Sequence, residues 1–183
     1  MAGILITDAS TDCFNEDGEL YEGTNYLYVG GSTVSGDYVD TWIPFVVPLP
    51  PMTIISATLY VTASAGGNSD IDIKLVAEKI NNSVKPTSLA TLTGKVSTTA
   101  NIYPVTAPSS GGVQYSYNVT SIVQEVLNIS GWANGNTLGM MFRTMYSADT
   151  KRCEIASSEH ATYSEPVLII YYADFIPTVM EVT

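Results

Sequence analysis

The chain has 183 residues, enough for one domain with a hydrophobic core of its own. Hydrophobic residues make up 45% and charged residues 14%, which excludes a disordered chain. Seven Lys plus Arg against 18 Asp plus Glu give a net charge of −11, so no basic surface can neutralise phosphates, and nucleic acid and polyanionic glycans are set aside as partners.

The abundance of Val, Ile, Thr and Tyr, punctuated by Gly and Pro, points to an all-β protein. The N-terminal run MAGILITDAS lacks a basic segment and a long apolar core, so export by a signal peptide is not expected, and no stretch has the length of a membrane helix. Residues 3–7 read as a first short strand. The acidic stretch 15–23, with Glu16, Asp17, Glu19 and Glu22, reads as a solvated loop. Calcium is the alternative there, because hard cations take carboxylate oxygens, but the spacing departs from the Asp-x-Asp-x-Asp-Gly pattern. Residues 24–31 form a strand closed by Gly30-Gly31. Residues 38–47 form a longer one, in which Pro44 removes a ladder donor and so marks an edge or a bulge.

The clearest alternation lies over 54–63. Ile55, Ala57, Leu59, Val61 and Ala63 are expected on a buried face, with Ser56, Thr58, Tyr60 and Thr62 toward water. After the turn Gly66-Gly67-Asn68-Ser69, residues 70–80 put Ile71, Ile73 and Leu75 on one face. The two segments are therefore expected to pair as an antiparallel hairpin. Residues 81–112 read as a long Ser/Thr/Ala/Pro-rich excursion with one or two short strands, one of them over 88–96. A strand over 113–117 leads to the one helical signal: Ile122, Val123, Val126 and Leu127 recur at helical spacing, capped by Asn118 or Thr120 and stopped by Gly131. So short a helix needs its stripe buried against the open end of a sandwich. Strands over 137–145, 152–158 and 165–172 follow. The last, Val167-Leu168-Ile169-Ile170-Tyr171-Tyr172, is apolar on both faces and belongs mid-sheet with both sides covered, or under another chain. Residues 173–183 form an apolar tail carrying Phe175, Ile176, Val179 and Met180. The domain organisation expected is one sandwich over 1–172 plus this arm.

Cys13 and Cys153 are expected as free, partly buried thiols, though one disulfide between them stays open. No nucleophile motif surrounds any serine, and His160 is the one histidine. The chain also holds no phosphate loop or dinucleotide fingerprint. Glu154 and Glu159 invite a glycosidase reading, but two carboxylates in a polar run more simply cap strand ends. The expectation is a non-enzymatic protein without metal or cofactor.

The motifs Asn25-Tyr26-Leu27-Tyr28-Val29-Gly30, Ile54-Ile55-Ser56-Ala57-Thr58-Leu59-Tyr60-Val61, Tyr117-Asn118-Val119-Thr120-Ser121-Ile122-Val123-Gln124, Glu154-Ile155-Ala156-Ser157-Ser158-Glu159 and Pro166-Val167-Leu168-Ile169-Ile170-Tyr171 occur in that order. In this the chain resembles the DNRLRE-type domain family over most of its length. The resemblance implies an antiparallel jelly-roll β-sandwich with one short helix over about 120–127. Such domains occur as carbohydrate-binding-like modules of secreted bacterial proteins and within bacteriophage structural proteins. Where that family carries a basic residue and a Phe-Asp pair, this chain has Asp40-Thr41-Trp42-Ile43-Pro44-Phe45-Val46-Val47, with more apolar surface, which favours a protein contact.

Two functions follow as expectations. The first is a virion structural protein made in a host cytoplasm, a bacteriophage capsid decoration or cement protein. It would meet the major capsid protein and other copies of itself, as a trimer or dimer, through Trp42, Phe45, Phe175, Ile176, Val179 and Met180. A tail or fibre component shares that physics. The second is a carbohydrate-binding or adhesin module that stacks a neutral glycan on Tyr26, Tyr28, Tyr38, Tyr115 and Tyr117.

Overall fold

In the computed structural model of the chain, residues 2–7, 12–31, 38–145 and 151–173 are described. They form eleven strands and two short helices: β1 Ala2–Thr7, β2 Cys13–Glu16, β3 Glu19–Glu22, β4 Tyr26–Gly31, β5 Tyr38–Val47, β6 Ile54–Thr62, β7 Ile73–Ala77, α1 Leu89–Thr93, β8 Gln114–Asn118, α2 Thr120–Leu127, β9 Asn136–Thr144, β10 Arg152–Ala156 and β11 Val167–Tyr172. All strand pairings among the described residues are antiparallel. The strands make two sheets, one of four strands in the order β1-β11-β6-β8. The other has seven, with β10-β4-β5-β2-β3 as its main path and β9 joining β5 to β7. The architecture is an all-β, jelly-roll-like sandwich.

Alternation builds the main core between the sheets. From the four-stranded sheet come Ala57, Leu59 and Val61 of β6 and Leu168 and Ile170 of β11. From the seven-stranded sheet come Ile43, Phe45 and Val47 of β5 and Leu138, Met140 and Phe142 of β9. Helix α2 leads from β8 in one sheet to β9 in the other and packs on β6 and β7. Its stripe of Ile122, Val123, Val126 and Leu127 is fully buried in that core, as the spacing predicts. Its start differs in detail. Val119 is the N-cap and contributes no side-chain bond, while Asn118 accepts the Thr120 amide from one residue further out. The helix ends at Asn128, before Gly131.

The hairpin expected between 54–63 and 70–80 does not form. β6 pairs with β8 and β11, and β7 pairs with β9 in the opposite sheet. The connecting turn crosses the sandwich instead. Its amides at Gly67 and Asn68 bond the carbonyls of Ser109 and Arg152, and a side chain at Gly67 would strike the β10 backbone. The alternation of β6 also breaks at its start. A β-bulge between Tyr171 and Tyr172 pairs Ser56 and Ile54 with those tyrosines and skips Ile55, so Ile54 is buried and Ile55 is 47% exposed.

The excursion 81–112 holds no strand over 88–96. It holds α1, opened by a capping box in which Ser88 and Thr91 bond each other's amides. This segment lies over the outer face of the seven-stranded sheet, where Cys13, Trp42, Val76, Leu92 and Met141 form a second, smaller core. That layer explains why β5 and β9 are apolar on both faces. Pro44 sits where β5 pairs with β9 alone among the described strands, consistent with the expected edge. Both cysteines are free and buried, and burial pushes the Cys13 thiol up to about 12 and the Cys153 thiol up to about 11. Residues 174–183, including Phe175, Ile176, Val179 and Met180, lie outside the described residues.

Candidate functional site

The excursion covers one outer face of the sandwich; the other, on the four-stranded sheet, has no such layer among the described residues. Leu168 and Ile170 point inward, so Val167, Ile169 and Tyr171 point out. Register extends this face in rows. Val167 stands opposite Tyr60, which stands opposite Ser116; Ile169 stands opposite Thr58, which stands opposite Asn118; Tyr171 stands opposite Ser56. On the far side of β11, Thr7, Leu5 and Gly3 of β1 are the register partners of the same three residues. Val167 and Ile169 are half-buried and Tyr171 is 42% exposed.

None of the outward positions of β6, β8 and β11 is charged. In a chain with 18 acidic residues this is a patterned absence, and charge depletion around aromatic and aliphatic side chains is what interface cores show. A hollow of about 190 Å³ opens on this face between Tyr60, Gln114, Ser164, Val167 and Ile169. It offers an aromatic ring, two aliphatic walls and two neutral polar groups, with no acid or base.

The residues singled out from sequence are placed otherwise. Trp42 and Phe45 are corrections: they are 1% and 0% exposed and belong to the protein's own two cores. The Trp42 indole donates to Ser83 at 3.0 Å, and the Lys95 ammonium lies 5.3 Å from its ring. The excursion that buries Trp42 has no periodicity of its own, so sequence offered no sign of a cover there.

The five tyrosines do not share a face. Tyr26 and Tyr28 lie on β4 in an aromatic cluster with Phe14 and Tyr21, and the Arg152 guanidinium covers the Tyr28 ring at 3.6 Å. Burial and the neighbouring Tyr26 phenol push Tyr28 up to about 12. On β8, Tyr117 is buried with its hydroxyl donating to the Thr106 carbonyl at 2.7 Å, and the Tyr115 oxygen accepts the Ser110 amide at 3.0 Å. Tyr38 alone is largely exposed, at the start of β5. Tyr60, in the hollow, was legible as an outward strand residue through its place between Leu59 and Val61.

The acidic stretch 15–23 is the β2–β3 hairpin, turned by Asp17 and Gly18, both at positive φ. It disperses its carboxylates: Glu16 pairs with Arg152, and Glu22 with Lys85 at 2.6 Å. His160 Nδ1 accepts the amides of Thr162 and Tyr163, which shapes its loop. No group of three or more His, Cys, Asp or Glu side chains placed to hold a metal ion gathers among the described residues. No family model and no curated protein matches the chain.

Proposed function

We propose that the chain is a non-enzymatic structural protein of a bacteriophage particle, a capsid decoration or cement protein, that docks through the uncovered face of its four-stranded sheet. The observation that carries this is the uncharged run Val167, Ile169, Tyr171 and Tyr60 on an otherwise strongly acidic molecule. The resemblance to DNRLRE-type domains, some of which lie in phage structural proteins, supports the setting. The partners are further copies of the chain, as a dimer or trimer, and the major capsid protein. Burying a half-exposed apolar sheet face releases water without the desolvation cost that charges would add.

The test is sedimentation equilibrium of the full chain and of Ile169→Glu. Ile169 points outward, so the variant folds, and a carboxylate at the centre of the face weakens self-association about tenfold or more. A monomeric wild type, or an Ile169→Glu variant that associates as tightly, overturns the reading.

The hollow beside Tyr60 favours a second reading, a carbohydrate-binding or adhesin module. Tyr60 would stack a neutral sugar ring while Gln114 and Ser164 bond its hydroxyls. Glycan-array binding lost in Tyr60→Ala, with self-association intact, would select it.

A further inference from the structure

Two hollows of about 490 and 500 Å³ adjoin beside helix α2, with Pro51, Met52 and Thr53 as their common floor. Pro50 and Ala173 complete the first, and residues 127–131, from the end of α2 into the loop after it, complete the second. Both lie in the range of about 300–1,000 Å³ in which proteins enclose ligands. No charged residue lines either one. Met52 and Ile129 rest on the main core, while Pro50, Pro51 and Thr53 are exposed.

The floor is fixed before anything docks on it. The Ile54 amide donates to Gln124 Oε1 at 2.9 Å, and Gln124 Nε2 donates to the Met52 carbonyl at 3.0 Å, which straps this connection to α2. Two successive prolines hold φ near −65° just ahead of it. They also lack an N–H, so no regular strand ladder can be added along them, and recognition falls to apolar side chains.

The bulge at Ile55 sets Tyr172 opposite Ile54, so the chain leaves the sheet at Ala173, on the rim of the first hollow. Residues 174–183 follow, outside the described residues, and carry Phe175, Ile176, Val179 and Met180. Ten extended residues reach about 33 Å, against about 12 Å for the length of the eight-residue α2, so reach is no obstacle. The first apolar pair comes directly after the rim of the first hollow, and the second pair comes three residues later, toward the second. Tethering makes such contacts intramolecular, at an effective concentration in the millimolar range.

We propose that the joined hollows are the seat of the chain's own C-terminal segment, with Phe175 and Ile176 in the first and Val179 and Met180 in the second. Seating takes four apolar side chains and the exposed prolines out of water together and calls for no new charge pairing.

Disulfide trapping in the full chain tests this. Ser130→Cys, at an exposed position in the second hollow, is combined with Met180→Cys. Cys13 and Cys153 are buried, with thiols pushed up to about 12 and about 11, so they stay out of the exchange at pH 8. Mild oxidation of dilute protein is expected to give one intrachain disulfide between the two introduced thiols, identified by peptide mass. Phe175→Ser with Ile176→Ser, added to the same pair, keeps the tether length and the charge and is expected to slow closure about tenfold or more. Closure as fast with the two serines overturns the seat, because the tether alone would then account for it. Failure to close, or closure only between chains on a non-reducing gel, overturns it as well.

Discussion

Gly139 of β9 stands opposite Pro44 of β5, beneath the indole of Trp42 and the hydroxyl of Ser83. A Cβ there would overlap both groups. Trp42 cannot retreat, because it is fully buried and its N–H is committed to Ser83. Gly139→Ala is therefore expected to destabilise the fold by about 1–3 kcal/mol, the usual cost of overpacking a filled core. Chemical denaturation of the variant against wild type checks this, and an unchanged midpoint would mean that the layer over Trp42 yields freely. Legibility at this scale was uneven. Leu59, Val61, Leu168 and Ile170 were readable as buried because alternation alone orients them. Ile55 was not, because it is the extra, unpaired residue of a β-bulge in β6, and nothing in the alternation marks where such a residue falls. Tyrosine was the least informative type. It is a good strand former buried or exposed, so Tyr28 under a guanidinium and Tyr60 in a hollow look alike in sequence.

The elements divide in the same way. Helix α2 announces itself through four apolar residues at 3.6-residue spacing, whereas α1 is a single turn with only Leu92 buried. Its one signal is the spacing of Ser88 and Thr91, easily lost in a Ser/Thr-rich stretch. The hairpin expected between β6 and β7 failed for a related reason: a glycine turn tells the chain to bend but not which sheet to join.

The α1 segment stays on the sheet through two buried ion pairs as well as Leu92. Lys95 binds Glu78 at 2.6 Å and the Val84 carbonyl at 2.7 Å, while Glu78 also accepts the Ser83 hydroxyl. Arg143 binds Asp40 at 2.7 Å and donates to the Lys95 carbonyl at 2.6 Å. Lys95→Met strands the Glu78 carboxylate with one hydroxyl for company, a loss of roughly 3 kcal/mol in buried pairs of this kind. Lys95→Met together with Glu78→Gln removes the stranded charge, so the double variant is expected to be more stable than Lys95→Met alone. Limited proteolysis should locate the damage, with new cuts between residues 79 and 96 in Lys95→Met. Cleavage confined elsewhere would show that these charges do not hold the layer.

At the scale of the whole molecule the two outer faces are treated unequally. The seven-stranded sheet carries its own apolar cover, anchored by charges; the four-stranded sheet presents Val167, Ile169, Tyr171 and Tyr60 without one among the described residues. The net charge of −11 then acts against the association that this face favours. Two such chains repel over about 30 Å at 0.01 M salt, but only about 10 Å at 0.1 M. Contacts made by uncharged side chains feel none of that screening directly. Self-association through this face is therefore expected to tighten as sodium chloride rises from about 10 to about 300 mM, because salt removes the repulsion and leaves the apolar contact intact. Attraction between opposite charges would run the other way, with salt pulling the oligomer apart. Sedimentation velocity across that salt range separates the two, and an oligomer that dissolves as salt is added would rule out docking by the uncharged sheet.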